Sequence, residues 1–334
     1  MTDRIKVGVV GVGDFGRNHV RLYRELEGAE LVGLYDTDAG RAQSVAQEFG
    51  THAFDSLDAL AAAVQVASVA VPTHDHARVG SELLRRGLDV LVEKPIAASL
   101  AEADDLIRIS EAERRILQVG HTERFNPAVV AAAEVVTQPL FFEVHRLGVF
   151  SGRSLDVDVI FDVMIHDLDI LLTFVSAPIE HVHAVGIPIL SSKVDIASVR
   201  LEFANGCVAN LTASRVSTDK VRKLRFFQPN QYVSIDFTRQ DVLVVSLDPS
   251  KAGAPPSPLG LPAGLQFRKL ETKTEEPLRA ELRAFLEAVR TRRPAPASGP
   301  EGRRALELAE RVAAAIAAHA RKLPEGVAPA PAVQ

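Results

Sequence analysis

Cysteine is almost absent: Cys207 stands alone in 334 residues, so the chain can form no internal disulfide and no cysteine-based metal site. That suits a reducing compartment. Long apolar runs are missing too. No segment approaches the roughly 18–20 apolar residues that a bilayer-spanning helix needs, and no charged-then-apolar leader precedes the first strand, so the expectation is a cytoplasmic chain without a membrane anchor. Basic charge is not in excess. With 38 Lys and Arg against 43 Asp and Glu the formal net charge is −5, and no basic patch dominates to attract nucleic acid. What is present is an ordinary globular balance, 47% hydrophobic and 24% charged, in a length sufficient for two domains that each bury a core.

The stretch Val-Leu-Val-Glu-Lys-Pro-Ile-Ala at 90–97 organises the rest. Its apolar start fits a strand buried in a parallel sheet, and Pro95, which cannot donate to a ladder, ends it. Lys94 is thereby held at a strand's carboxyl end, where open α/β sheets bind ligands. A surface lysine in a turn fits the same letters, so its neighbours decide. Residues 5–10 form an apolar strand leading into Gly11-Val12-Gly13-Asp14-Phe15-Gly16 and a helical stretch at 17–26. In this G-x-G-x-x-G the first glycine allows the tight turn, the second lets backbone approach a pyrophosphate, and the third lets helix and strand pack closely. Free N–H groups at the helix start face the phosphates.

A second strand, 30–35, ends in Asp36, twenty residues beyond Gly16, where an acid meets the adenosine ribose. Asp38 adds a second carboxylate and no arginine immediately follows, which favours NAD over NADP. Helices at 39–49, 57–64, 77–86 and 99–113 alternate with strands at 66–71, 90–92 and 116–119, a doubly wound, mostly parallel sheet. Pro72-Thr73-His74-Asp75-His76 lies between strand and helix. Lacking a second ligand cluster, it is assigned no metal; it reads as a loop touching the cofactor. The expected cofactor contacts are Gly11, Gly13, Asp14, Phe15, Gly16, Asp36, Thr73, His74, Glu93 and Lys94.

The first domain is expected over 1–121 and a second over 122–323. In the second, period-two alternation at 141–147, 181–189, 197–203, 208–214, 223–227, 232–237 and 242–247 predicts a large, open, mostly antiparallel sheet in an α+β domain. Helices at 159–175, 276–292 and 300–321 are available to cover one face. The segment 249–262 reads as a loop, and 324–334, rich in proline and alanine, as a disordered tail. In the helix at 159–175, Asp162, His166 and Asp169 fall on one face, the carboxylate placed to orient the imidazole for acid–base work. A hydrogen-bonded histidine at a packed interface is the plainer reading of the same spacing.

Three motifs, Gly11-x-Gly13-x-x-Gly16, Glu93-Lys94-Pro95 and Asp162-x-x-x-His166, stand in the order and approximate spacing of the glucose-fructose oxidoreductase and inositol dehydrogenase family (Gfo/Idh/MocA), which the chain resembles over nearly its whole length. The resemblance implies a Rossmann domain followed by an open sheet, with substrate between the nicotinamide and the sheet. It also implies Lys94 and His166 as catalytic residues with Asp162 beside them. Within the family, residues 120–127 and 162–169 look most like bacterial UDP-N-acetylglucosamine 3-dehydrogenases, which serve lipid A or surface polysaccharide synthesis, although Val163 and Met164 stand where many members carry glycine. Asn126, Asp162 and His166 are expected substrate contacts, and the pyrophosphate of a nucleotide sugar would need cations, with Arg124, Arg146, Arg153 and Arg215 as candidates. A homodimer or homotetramer paired through exposed sheet faces is also implied. Two other readings stay open: a dehydrogenase of a free sugar or polyol such as inositol, and a regulator that binds the cofactor without turnover.

Overall fold

The computed structural model describes residues 4–150, 157–251, 255, 260 and 262–322. Arg153 and the expected tail at 324–334 lie outside the described residues. The chain divides into two compact units, Met1–Phe125 with Glu275–Leu306, and Asn126–Thr274 with Glu307–Gln334.

In the first unit β1 (Ile5–Val10), α1 (Asp14–Glu25), β2 (Ala29–Tyr35), α2 (Ala39–Phe49), β3 (His52–Ala53), α3 (Leu57–Ala63), β4 (Val66–Val69), α4 (Thr73–Arg85), β5 (Asp89–Glu93), α5 (Leu100–Ala112) and β6 (Leu117–Gly120) follow one another. The strands form a parallel sheet in the order β3-β2-β1-β4-β5-β6. Every residue of β4 and β5 is buried, as a sheet covered on both faces requires. Strand order reverses between β1 and β4, and such a switch point opens a crevice at the strands' carboxyl ends.

The second unit begins with α6 (Pro127–Ala133) and β7 (Phe141–Leu147). A π-helical turn, Ile160–Met164, runs into α7 (Ile165–Phe174). Then come β8 (Ile179–Ile187), β9 (Ile196–Phe203), β10 (Val208–Ser214), β11 (Val221–Gln228), β12 (Gln231–Asp236), β13 (Asp241–Leu247) and β14 (Leu265–Lys269). These strands form one sheet, β14-β13-β12-β11-β7-β10-β9-β8, antiparallel except for the β7–β10 pair. A parallel neighbour needs a crossover, and α7 lies on it. Alternation along β7 buries Phe142 and Val144. Phe174 of α7 stacks on that face, 6.4 Å from Phe142 and 6.1 Å from Phe226. On the opposite face Phe141, Phe227, Tyr232, Val245 and Phe267 stand in register across five strands.

The late helices are not both covers of this sheet. In α8 (Pro277–Thr291), Leu278, Leu282, Phe285 and Leu286 join the core of the first unit with Leu22, Tyr23 and Leu26 of α1 and its C-cap. In α9 (Gly299–Ala320), Gly302 closes on Val119, where a Cβ would come within 2.5 Å of the valine side chain. Further along, Ile316 packs beside Gly186 of β8. β14, unanticipated, follows the segment read as a loop.

Candidate active site

The turn after β1 is built for glycine. Gly11 has φ +81°, and a Cβ there would lie 2.7 Å from the Ala70 carbonyl oxygen. At Gly16 a Cβ would lie 1.8 Å from the Gly11 carbonyl oxygen, whereas at Gly13 it would meet nothing among the described residues within 4 Å. The third glycine therefore lets α1 press onto the turn, and the second leaves open room beside it. Asp36 is fixed across this turn: its Oδ2 accepts the Val12 N–H at 2.8 Å and its Oδ1 the Asp38 N–H at 2.9 Å.

A cavity of about 440 Å³ opens here, lined by Gly11, Gly13, Asp36, Arg41 and Arg78 among others. Its size suits part of a dinucleotide, and the open face of Gly13, the amino end of α1 and the Asp36 carboxylate fit pyrophosphate and ribose. Arg41 is a feature the sequence reading missed. From the first turn of α2 it reaches back to within 3.5 Å of Asp36 and 3.3 Å of Asp38. Asp14 opens α1, and Phe15 beside it is 57% exposed. Thr73 and His74 sit in the first turn of α4, which starts before the expected position 77, so they belong to a helix rather than a loop. His74 is exposed, 3.4 Å from Asp75.

At the end of β5, Glu93 is still in the strand and buried. Its Oε1 is 2.9 Å from Nε2 of the fully buried His19, and its Oε2 accepts the Lys94 N–H at 3.3 Å. The carboxyl lies over Gly120, where a Cβ would come within 2.8 Å of it. Burial opposes its ionisation, but the His19 hydrogen bond and the charges of His19, Lys94 and His76 outweigh that and hold it below its usual range. The Lys94–Pro95 peptide is cis. The Pro95 carbonyl faces Nδ1 of buried His76 at 2.8 Å, and the Val71 carbonyl faces its Nε2 at 2.9 Å. Burial pulls this ring below the ordinary imidazole value, although both carbonyls favour its charged form. Thus the His-Asp-His run divides: His74 faces outward, and His76 braces the turn that carries half-buried Lys94.

In the second unit the helix expected at 159–175 is interrupted. The Ile165 N–H bonds the Ile160 carbonyl, an i→i+5 contact, so Asp162 lies on a π turn and His166 on the first turn of α7. Turns of this kind are frequent at functional sites. Asp162 and His166 are partly exposed, whereas Asp169, expected on the same stripe, is buried. Asp167, which the sequence reading passed over, anchors the helix. Both its oxygens accept from Arg146 of β7, at 2.8 and 2.7 Å, and the guanidinium lies 4.7 Å from the Phe237 ring centroid.

Asp195, fully buried, ties the segment 188–195 to Arg215. Its Oδ2 accepts the N–H groups of Ile189, Leu190 and Ser191 at 2.7, 2.6 and 2.9 Å, and its Oδ1 accepts Arg215 Nε at 2.8 Å and Ser191 Oγ at 2.7 Å. Burial opposes ionisation here too, yet these donors hold the carboxyl well below the usual range. Val194 pairs with Asp158 and Val159 just ahead of the π turn. Asn126, also buried, caps α6 through the Ala128 N–H at 3.1 Å and donates to the Phe237 carbonyl at 3.1 Å. Arg124, in the first unit, holds Glu301 at 2.8 Å and the Pro296 carbonyl at 2.6 Å.

A glycine turn, an acid-tipped β2 and a lysine closing β5 define an NAD-binding oxidoreductase of Rossmann type. Residues 5–121 match the family profile described as the oxidoreductase family with an NAD-binding Rossmann fold, and residues 147–231 match the GFO/IDH/MocA C-terminal domain. The chain belongs to the Gfo/Idh/MocA family. It is 36% identical over 315 residues to the UDP-N-acetylglucosamine 3-dehydrogenase of Acidithiobacillus ferrooxidans, covering 94% of this chain and 98% of that one. A solved structure of that enzyme superposes with a TM-score of 0.86 at 35% identity, over 94% and 98% of the two chains. The inositol 2-dehydrogenase of Rubrobacter xylanophilus is 33% identical over 65% of this chain and 66% of its own. A levoglucosan dehydrogenase in complex with NADH and levoglucosan shares the fold, with a TM-score of 0.82 at 16% identity over 95% and 98%.

Proposed function

We propose that the protein oxidises the 3-hydroxyl of a UDP-N-acetylhexosamine, UDP-N-acetylglucosamine or its uronic acid, to the 3-keto sugar. The observation that carries this reading is the near full-length likeness to a UDP-N-acetylglucosamine 3-dehydrogenase. NAD, when bound, supplies the hydride acceptor. The chain's own residues move the hydroxyl proton: His166, oriented by Asp162, takes it, and Lys94 hydrogen-bonds the hydroxyl oxygen or shares the relay. Acid–base assistance of this kind is worth about 10²–10⁴ in rate, or about 3–5 kcal/mol of barrier. Asn126, Arg124, Arg146 and Arg215 are the described candidates for shaping the substrate site. Each of these arginines already holds a carboxylate, so binding a pyrophosphate would require it to share or leave that partner.

The reading extends to a cytoplasmic enzyme of lipid A or surface polysaccharide synthesis that works as a homodimer or homotetramer. The aromatic row on the open sheet face supports self-association, with Phe227 38% and Phe267 62% exposed. The test is nicotinamide absorbance during incubation with NAD and a panel of UDP-N-acetylglucosamine, its uronic acid, other nucleotide sugars, free sugars and inositol, with a carbonyl trap for the keto product. NADH formed only with a UDP-sugar is expected. The inositol 2-dehydrogenase relatives favour a second reading, oxidation of a free polyol; NADH formed with inositol instead would establish it and end the first.

A further inference from the structure

His19 lies on α1, three residues beyond the last glycine of the turn, yet faces away from the 440 Å³ cavity's lining and toward the end of β5. The ring is fully buried and its Nε2 is 2.9 Å from Glu93 Oε1, while Nδ1 has no hydrogen-bond partner among the described residues. The form that serves this contact therefore carries its hydrogen on Nε2. Glu93 has little freedom otherwise: Gly120 lies beneath it, and its second oxygen is spent on the Lys94 N–H at 3.3 Å. Two groups in series, the His19 ring and the Glu93 carboxyl, thus join the helix that begins at the glycine turn to the backbone of Lys94. His76 grips the far side of the same turn at the Pro95 carbonyl.

We propose that His19 is a positioning residue for the reaction, which through Glu93 fixes the Lys94 turn and couples it to the phosphate-facing helix. The inference rests on the reading of Lys94 as a catalytic residue. A polar side chain buried only for packing would act through stability. A positioning residue acts through the placement of the group that touches substrate, where a displacement of about 1 Å can cost about 10²-fold in turnover.

Two amide substitutions separate these roles. The Gln amide nitrogen falls where His Nε2 stands, and the Asn amide nitrogen falls where Nδ1 stands. Both are polar and uncharged, but only H19Q keeps a donor to Glu93. Turnover, KM for NAD and NADH affinity are measured for both variants and for K94A. The methyl resonance of reductively methylated Lys94, assigned by its absence from K94R, is recorded in each folded variant.

H19N should lose about ten- to a hundredfold in kcat with NADH affinity nearly unchanged and the Lys94 resonance displaced, while H19Q stays within about threefold of wild type in kcat with the resonance in place. Equal losses in H19N and H19Q, or an unmoved Lys94 resonance in H19N, overturn the proposal. If K94A turns over like wild type, the catalytic reading of Lys94 fails, and the resonance alone still decides whether His19 positions the turn. Should H19N not fold, E93Q takes its place: an oxygen remains for His19, but an amide nitrogen then opposes the Lys94 N–H. Wild-type turnover in E93Q overturns the proposal; lost turnover with a displaced Lys94 resonance supports it.

Discussion

Replacing Asp195 by Asn keeps the shape of a buried hub and removes its charge. The carboxylate accepts from five donors, three backbone N–H groups at one oxygen and Arg215 with Ser191 Oγ at the other. An amide has one acceptor oxygen. Turned to keep the three N–H groups, it points its own hydrogens at Arg215; turned the other way, it opposes Ile189, Leu190 and Ser191. Breaking one partner out of a buried charge pair costs about 3–5 kcal/mol, and each hydrogen bond to a charged group about 1.5–3 kcal/mol, so D195N should lose about 3–5 kcal/mol locally. The suitable assay is hydrogen exchange of the Ile189, Leu190 and Ser191 amides, because a chain of two units has no single unfolding free energy. Their protection should fall by about 10²- to 10⁴-fold. Since the folded Asp195 carboxyl is held below its ordinary value, the wild-type contribution is complete above about pH 4 and lost as pH falls below it. Protection in D195N within about threefold of wild type would refute the reasoning.

Turnover should fall about 10²–10⁴-fold in both K94A and H166A with NADH binding retained, as read by fluorescence titration beside initial rates; near-normal rates in both would remove them from the chemistry. The glycine turn separates packing from binding. G16A, whose Cβ meets a carbonyl oxygen at 1.8 Å, should cost the first unit about 1–3 kcal/mol and lower the temperature of that unit's transition, whereas G13A, with nothing among the described residues within 4 Å, should leave that transition in place and lose NADH affinity. Placing Glu at both Phe227 and Phe267 should leave a monomer by light scattering if the aromatic row is the assembly face; an unchanged particle mass would assign assembly elsewhere.

The glycine turn, Asp36 and Lys94 are legible in the sequence because each is marked by what surrounds it locally: an apolar strand before, a helix or proline after. His19 carries no such mark. Its partner is 74 residues away, and a histidine on an amphipathic helix looks alike whether it meets a carboxylate or packs against apolar side chains. His76 was visible as part of a cluster, but its burial on two carbonyls is a tertiary fact. The π turn escapes because a single such turn inside a helix leaves the same run of apolar letters as an uninterrupted one. Thr73 and His74 read as loop because polar residues at a helix start resemble a turn. β14 lacks a buried alternation to announce it, being exposed along nearly all its length. The apolar stripe of α8 shows that the helix covers something, but not which of two sheets.

That last point bears on how the protein is made. Leu278, Leu282, Phe285 and Leu286 complete a core whose other members lie mostly in the first hundred residues. The cofactor-binding unit is therefore begun before the sheet of the second unit and completed only after all of that sheet has been made. At about 5–20 residues per second, roughly 10–40 s separate synthesis of Phe125 from that of Leu306. Through that interval the apolar flank of α1 waits uncovered while the strands of the intervening sheet are made. Chaperone engagement during synthesis should concentrate on this nascent flank, and a chain cut at 274 should carry an unfinished nucleotide fold and a sheet without Ile316 beside Gly186.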